Sequence, residues 1–75
     1  MKRIDLRKSK DLFADLKTHI DDAKIGEVLV ILFEIGDFSN VEKSYKFVYD
    51  NECKLLNSLK FNQSDWTIVI KKDTL

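Results

Sequence analysis

One cysteine, Cys53, and one histidine, His19, are all the soft metal-ligating residues the 75-residue sequence offers. A lone cysteine cannot close an intramolecular disulfide or supply the thiolates of an iron–sulfur cluster held by one chain. One His with one Cys falls short of a dedicated zinc site, so no metal and no iron–sulfur cluster is expected. A charge of one sign is also missing. Thirteen Lys+Arg balance thirteen Asp+Glu, leaving no overall field to draw in nucleic acid or an anionic membrane, and nucleic acid is not an expected partner. Long hydrophobic runs are absent too. The longest, Val28 to Phe33, is far short of the roughly 20 residues that span a bilayer, so direct membrane insertion is not expected. The basic start has no apolar h-region behind it, which points away from a secretory leader and toward the cytoplasm. Repeats, linkers and low-complexity segments are lacking.

What is present is enough for one domain over residues 1–75. A core of this size yields only about 3–5 kcal/mol of net stability, so a partner covering apolar surface would help it.

Lys2 to Arg7 alternates, with Ile4 and Leu6 on one side and Arg3, Asp5 and Arg7 on the other, the pattern of a half-buried strand. From Asp11 the period changes to three or four: Leu12, Leu16, Ile20 and Ala23 form a stripe flanked by Phe13 and His19. Asp11 suits the N-cap of this helix, and Gly26 the left-handed position that ends it. Glu27 to Ile35 is β-branched and continuous, as a central strand contacted on both faces for part of its length would be. Gly36-Asp37 breaks it. Ser39-Asn-Val-Glu42 then fits a capping box for a second helix with Val41, Tyr45, Val48 and Tyr49 on one face.

Residues 53–61 admit two readings. They extend the helix through Leu56 and Leu59, or form a strand with Leu55, Asn57, Leu59 and Phe61 on one side. The strand is favoured, because Asp50-Asn51 is a turn-type pair and Trp66 to Ile70 needs an antiparallel neighbour. Asn62 to Asp65 then makes the hairpin turn, with Trp66, Ile68 and Ile70 inward and Thr67, Val69 and Lys71 outward. The expected fold is an α/β two-layer sandwich, β-α-β-α-β-β, with two helices packed on one face of a four-stranded mixed sheet and the other face comparatively open.

This order and its landmarks resemble the SirA/TusA-like sulfur carriers over nearly the whole chain. Ile4-Asp5 stands at their Leu-Asp start, Gly26-Glu27 at their Gly-Glu, and Ile68 to Lys72 at their Leu-Ile-Arg-Lys ending. The resemblance implies a Cys-Pro-x-Pro motif opening the first helix, where the helix N-terminus favours a thiolate. Asp11-Leu12-Phe13-Ala14 stands there instead, and an Asp cannot carry transferable sulfur. Gly36 to Asn40 and Leu55 to Ile70 are similar to a narrower group, the short protein that takes the place of the E component of NADH-quinone oxidoreductase in epsilonproteobacteria. That similarity implies a complex I lacking the usual NADH-oxidising module, with reduced flavodoxin or ferredoxin as electron donor. It also implies a departure from the usual E component, whose four cysteines hold a [2Fe–2S] cluster.

Lys2, Arg3, Arg7, Lys8 and Lys10 make the first ten residues basic. Lys8-Ser9-Lys10 enters the first helix, whose free N–H groups could receive a phosphate. The competing explanation is a solvated edge whose charges block strand pairing, and Asp11 already occupies the positive helix end. Trp66 and Phe38 are candidates to stack on a flavin, although Trp is more often core. Of Tyr45, Phe47 and Tyr49, one is expected to point outward as a contact residue. His19 is read as partly buried and ion-paired with Asp15 or Asp22. No nucleophile or oxyanion arrangement surrounds it, so no catalytic residue is assigned. Cys53 is read as a small half-buried hydrophobe.

These features lead first to a non-catalytic accessory subunit of a complex I-like NADH-quinone oxidoreductase. It would stand in for the NADH-input module and help dock a donor such as flavodoxin, held at the inner membrane through the complex. The first alternative is a flavin mononucleotide (FMN) binder using Lys8, Ser9, Lys10, Phe38 and Trp66. The second is a divergent sulfur carrier using Cys53.

Overall fold

A computed structural model describes residues 1–36 and 38–73. Along the chain run β1 (Lys2–Asp5), α1 (Leu12–Asp22), β2 (Val28–Glu34), α2 (Ser39–Asp50), β3 (Cys53–Lys60) and β4 (Asp65–Lys72). The strands form one sheet in the order β1-β2-β4-β3. β1 and β2 are parallel and the other pairs antiparallel, so the sheet is mixed as expected.

Both helices lie on one face. Leu16 and Ile20 of α1 and Val41 and Val48 of α2 join Ile4, Leu29, Ile31, Phe33, Ile68 and Ile70 in a single buried cluster. Each such side chain contributes about 1.5–3 kcal/mol through removal from water, most of which offsets the conformational entropy lost on folding. α1 is capped by Asp11, whose Oδ1 accepts from the Ala14 N–H at 3.2 Å. At its other end the Lys72 ammonium donates to the carbonyls of Ile20 (2.7 Å), Ala23 (3.0 Å) and Asp21 (3.4 Å). A strand side chain thus closes a helix terminus that would otherwise leave carbonyls unpaired.

The two readings of residues 53–61 resolve in favour of the strand. Its alternation is interrupted by a register shift between Leu55 and Asn57, so Leu55 does not share a face with Asn57 and Leu59. An extra residue at a bulge reverses which side the following residues point to.

Four local expectations are corrected. α1 ends at Ala23, and Gly26 (φ +86°) belongs to the turn before β2, where it donates to the Lys72 carbonyl at 2.7 Å. The cap of α2 is Phe38, in left-handed conformation at φ 74°, with Ser39 already helical, so the capping box is not formed. The buried face of α2 is Val41, Ser44 and Val48, and Tyr49 is 81% exposed. The 3.6-residue period carries positions 41, 44 and 48 along one stripe and rotates 49 away from it. His19, half-buried, has no ion pair among the described residues, and the Asp15 carboxylate instead accepts from the Ser9 hydroxyl at 2.6 Å. Asp37, read with Gly36 as the break after β2, lies outside the described residues.

Candidate functional site

The carboxyl ends of β1 and β2, the N-termini of both helices and the start of β4 meet at one end of the sheet. This follows from the register, in which Asp5 pairs with Leu32 and Phe33 with Trp66. Every residue singled out from the sequence for ligand binding lies at this end.

Two of them touch. The Phe38 and Trp66 rings meet edge to face, with centroids 5.6 Å apart at 80°. Phe38 is 47% exposed, and Trp66 is half-buried against the core. The Trp66 indole N–H donates to Ser58 Oγ at 2.8 Å, and Ser58 Oγ shares a second hydrogen bond, 2.9 Å, with the Tyr45 hydroxyl. The indole is therefore held on two sides, by the Phe38 edge contact and by the Ser58 anchor. A bulky residue at positive φ costs on the order of 1–3 kcal/mol and persists only where its surroundings enforce it. Sequence reasoning missed Ser58 and the role of Tyr45. The signal for Tyr45 was its spacing of seven from Phe38, which puts both on one side of α2. Ser58 had none, because the Leu55/Asn57 register shift decides which face it takes.

Lys8, Ser9 and Lys10 sit apart from this pair, beyond β1. No hydrogen bond, ion pair or ring contact joins the two groups among the described residues. β2 lies between β1 and β4, so two strand spacings, about 10 Å, separate them. Lys8 and Lys10 are exposed and form no ion pair among the described residues, whereas Ser9 is bound to Asp15. With Asp11 at the cap and Asp15 in the first turn, two carboxylates already answer the positive end of α1.

A second polar cluster closes the same end on the opposite face of the sheet. Arg7 donates to both Asp5 oxygens, at 2.7 to 3.2 Å, and reaches Asp65 Oδ2 at 3.4 Å. These hydrogen bonds hold the Asp5 carboxyl down to about 2. Asp65 is buried and also accepts from Asn62 Nδ2 at 2.9 Å, which ties the β3–β4 turn to β1.

Cys53 is buried at the far end of the sheet, paired with Lys72, and its Sγ lies 3.6 Å from the Asn51 carbonyl. Burial pushes its thiol up, tempered by the Lys72 charge and reinforced by Asp73 and Glu52. A thiol held protonated is a poor nucleophile, which argues against a persulfide carrier. No group of three or more His, Cys, Asp and Glu is placed to hold a metal among the described residues. No helix among them is long and apolar enough to cross a membrane.

Comparison with known proteins covers almost the entire sequence. Residues 1–72 match the family model for the E component of NADH-ubiquinone oxidoreductase. The solution structure of HP1264 from Helicobacter pylori is 42% identical, with a TM-score of 0.72, and the alignment covers 99% of this chain and 100% of that one. No relative is found among curated proteins. The similarity to SirA/TusA-like carriers rests on the sequence landmarks alone. By the family model and by a structural relative matching from end to end, the chain belongs to the family of the NADH-ubiquinone oxidoreductase E component.

Proposed function

We propose that the chain is a non-catalytic accessory subunit of a complex I-like quinone oxidoreductase, taking the place of the E component and helping to dock the electron donor. The carrying observation is a family match over residues 1–72 in a sequence that contains one cysteine. Four thiolates are needed for a [2Fe–2S] cluster of the usual kind, so a chain with one cannot relay electrons that way. It contributes surface instead. On this reading the protein is cytoplasmic, bound at the inner membrane through its neighbouring subunits, and flavodoxin or ferredoxin is the donor class. The test is to purify an affinity-tagged full-length protein from native membranes in mild detergent. Other subunits of the oxidoreductase should co-purify, and a tagged protein recovered free of all of them overturns the reading.

A second reading, binding of FMN, is favoured by one observation, the anchored Phe38–Trp66 pair beside an exposed Lys8–Lys10 loop at the same sheet end. The roughly 10 Å between them is a span a mononucleotide covers, with its ring at the aromatics and its phosphate at the lysines. Affinity should be micromolar or weaker, since a sheet of this size with helices on one face offers no deep cleft there. Replacing Lys8 and Lys10 with Ala should weaken FMN more than riboflavin, which has no phosphate, and FMN binding should fall with salt. Trp66→Phe should affect both ligands alike. Equal binding of the two flavins, insensitive to salt and to the lysine changes, removes this site.

A further inference from the structure

β2 is apolar on both faces, and only one is covered. Leu29, Ile31 and Phe33 lie under the helices at 0–1% exposure, while Val28, Val30 and Leu32 alternate with them on the opposite face and remain partly exposed. No helix or strand among the described residues packs over that second face, because α1 and α2 both lie on the first. The register extends the apolar surface across the sheet: Val30 pairs with Val69, and Leu32 with Thr67, which pairs in turn with Leu59. Such two-sided strands belong to sheets covered on both faces.

The rim of this surface is positive. Lys71 pairs with Val28 on one side and Lys54 on the other, which places two ammonium groups directly opposite one another. Arg3 stands beside Val30 at the other edge. None of the three forms an ion pair or side-chain hydrogen bond among the described residues. Like charges facing across a strand pair are destabilising, so nothing in the folding of this chain by itself favours that arrangement. The acids on this face are largely engaged: Asp5 and Asp65 are held by Arg7, leaving Glu34.

We infer that the face of the sheet away from the helices is a docking surface for a neighbouring subunit of the oxidoreductase, one presenting an apolar centre bordered by carboxylates. Charge complementarity selects this occupant over a second copy, which would offer Glu34 alone against Arg3, Lys54 and Lys71. Area points the same way. Four strands about 4.8 Å apart and seven residues of about 3.4 Å give roughly 450 Å², well below the roughly 800 Å² per partner of a stable dimer. A component also held at other points in a larger assembly does not need the full area from one face.

The inference rests on the accessory-subunit reading, and the test separates the two. Tagged full-length protein is purified from native membranes as wild type, as Leu32→Glu and as Lys54→Glu/Lys71→Glu, each variant being checked for a folded circular dichroism spectrum. The wild type should retain the other subunits, more weakly as salt is raised, and both variants should retain at least 10-fold less. In a Cys53→Ser background, the thiol introduced by Val30→Cys should react with a maleimide at least 10-fold more slowly in the assembled complex than in the isolated protein. Equal retention of wild type and variants overturns the docking face and leaves the accessory-subunit reading intact. A wild type that brings down no other subunit overturns both. Protection of the position 30 thiol in the isolated protein, appearing together with dimer in sedimentation, assigns the face to a second copy and overturns the inference.

Discussion

Lys72→Met tests how a strand side chain stabilises a helix it does not belong to. The Lys72 ammonium donates to three carbonyls in the last turn of α1, at 2.7, 3.0 and 3.4 Å. Methionine keeps most of the aliphatic length and removes the charge and the donors. A hydrogen bond to a charged group contributes about 1.5–3 kcal/mol. A cation at a helix C-terminus contributes about 0.3–1 kcal/mol, and up to ~2 where it is partly buried. The two figures describe overlapping physics and are not summed. The Ile20 carbonyl keeps the Ala23 N–H at 3.1 Å, which limits how far it is orphaned. The expected loss is therefore about 2 kcal/mol, close to half of the roughly 3–5 kcal/mol available to a chain of this size. At about 4–8 °C per kcal/mol, Tm should fall by about 8–16 °C. Urea unfolding followed by far-ultraviolet circular dichroism measures it, with Lys71→Met as control. Lys71 is the neighbouring residue, but it faces Lys54 on the other side of the sheet, so its loss should lie within about 0.5 kcal/mol of neutral. Indistinguishable midpoints for the two variants would refute the reasoning.

Asp5 should titrate near 2, against 3.8 for an unperturbed side chain, because Arg7 donates to its carboxylate. The depressed value means that its contribution to stability is present above about pH 4 and is lost as pH falls through 2; carboxyl NMR shifts should show Arg7→Gln restoring the ordinary midpoint. Cys53 should react slowly with iodoacetamide at pH 8 in the native protein and quickly in urea, since burial raises its thiol. Cys53→Ser should cost about 1 kcal/mol and leave association with the oxidoreductase unchanged, and a folded Cys53→Ser protein without activity in the complex would reinstate the sulfur-carrier reading.

Element order was legible because each segment carries one clear period and its punctuation. The Leu12, Leu16, Ile20 stripe after Asp11, the apolar run before Gly36 and the Asn62–Ser64 turn each specify local structure without help from the rest of the molecule. The absence of a metal-ligating set is also a property of composition, since no fold supplies thiolates that one cysteine lacks. Capping box and helix face were misread for α2 because the contact of Phe38 with Trp66, 28 positions away, outweighs the preference of Ser39 for the cap. The same holds for the site. Sequence named Lys8, Lys10, Phe38 and Trp66 by residue type, yet only the strand order β1-β2-β4-β3 puts them at one end and keeps the lysines apart from the rings.

The continuous apolar pattern of β2 told of a strand built for contact on both sides, a consequence of side chains alternating along an extended backbone. Which side the helices would take, and which would stand open with Arg3, Lys54 and Lys71 around it, was decided by packing. The two helices share one core, and strands distant in sequence bring their cations to the rim of the other face.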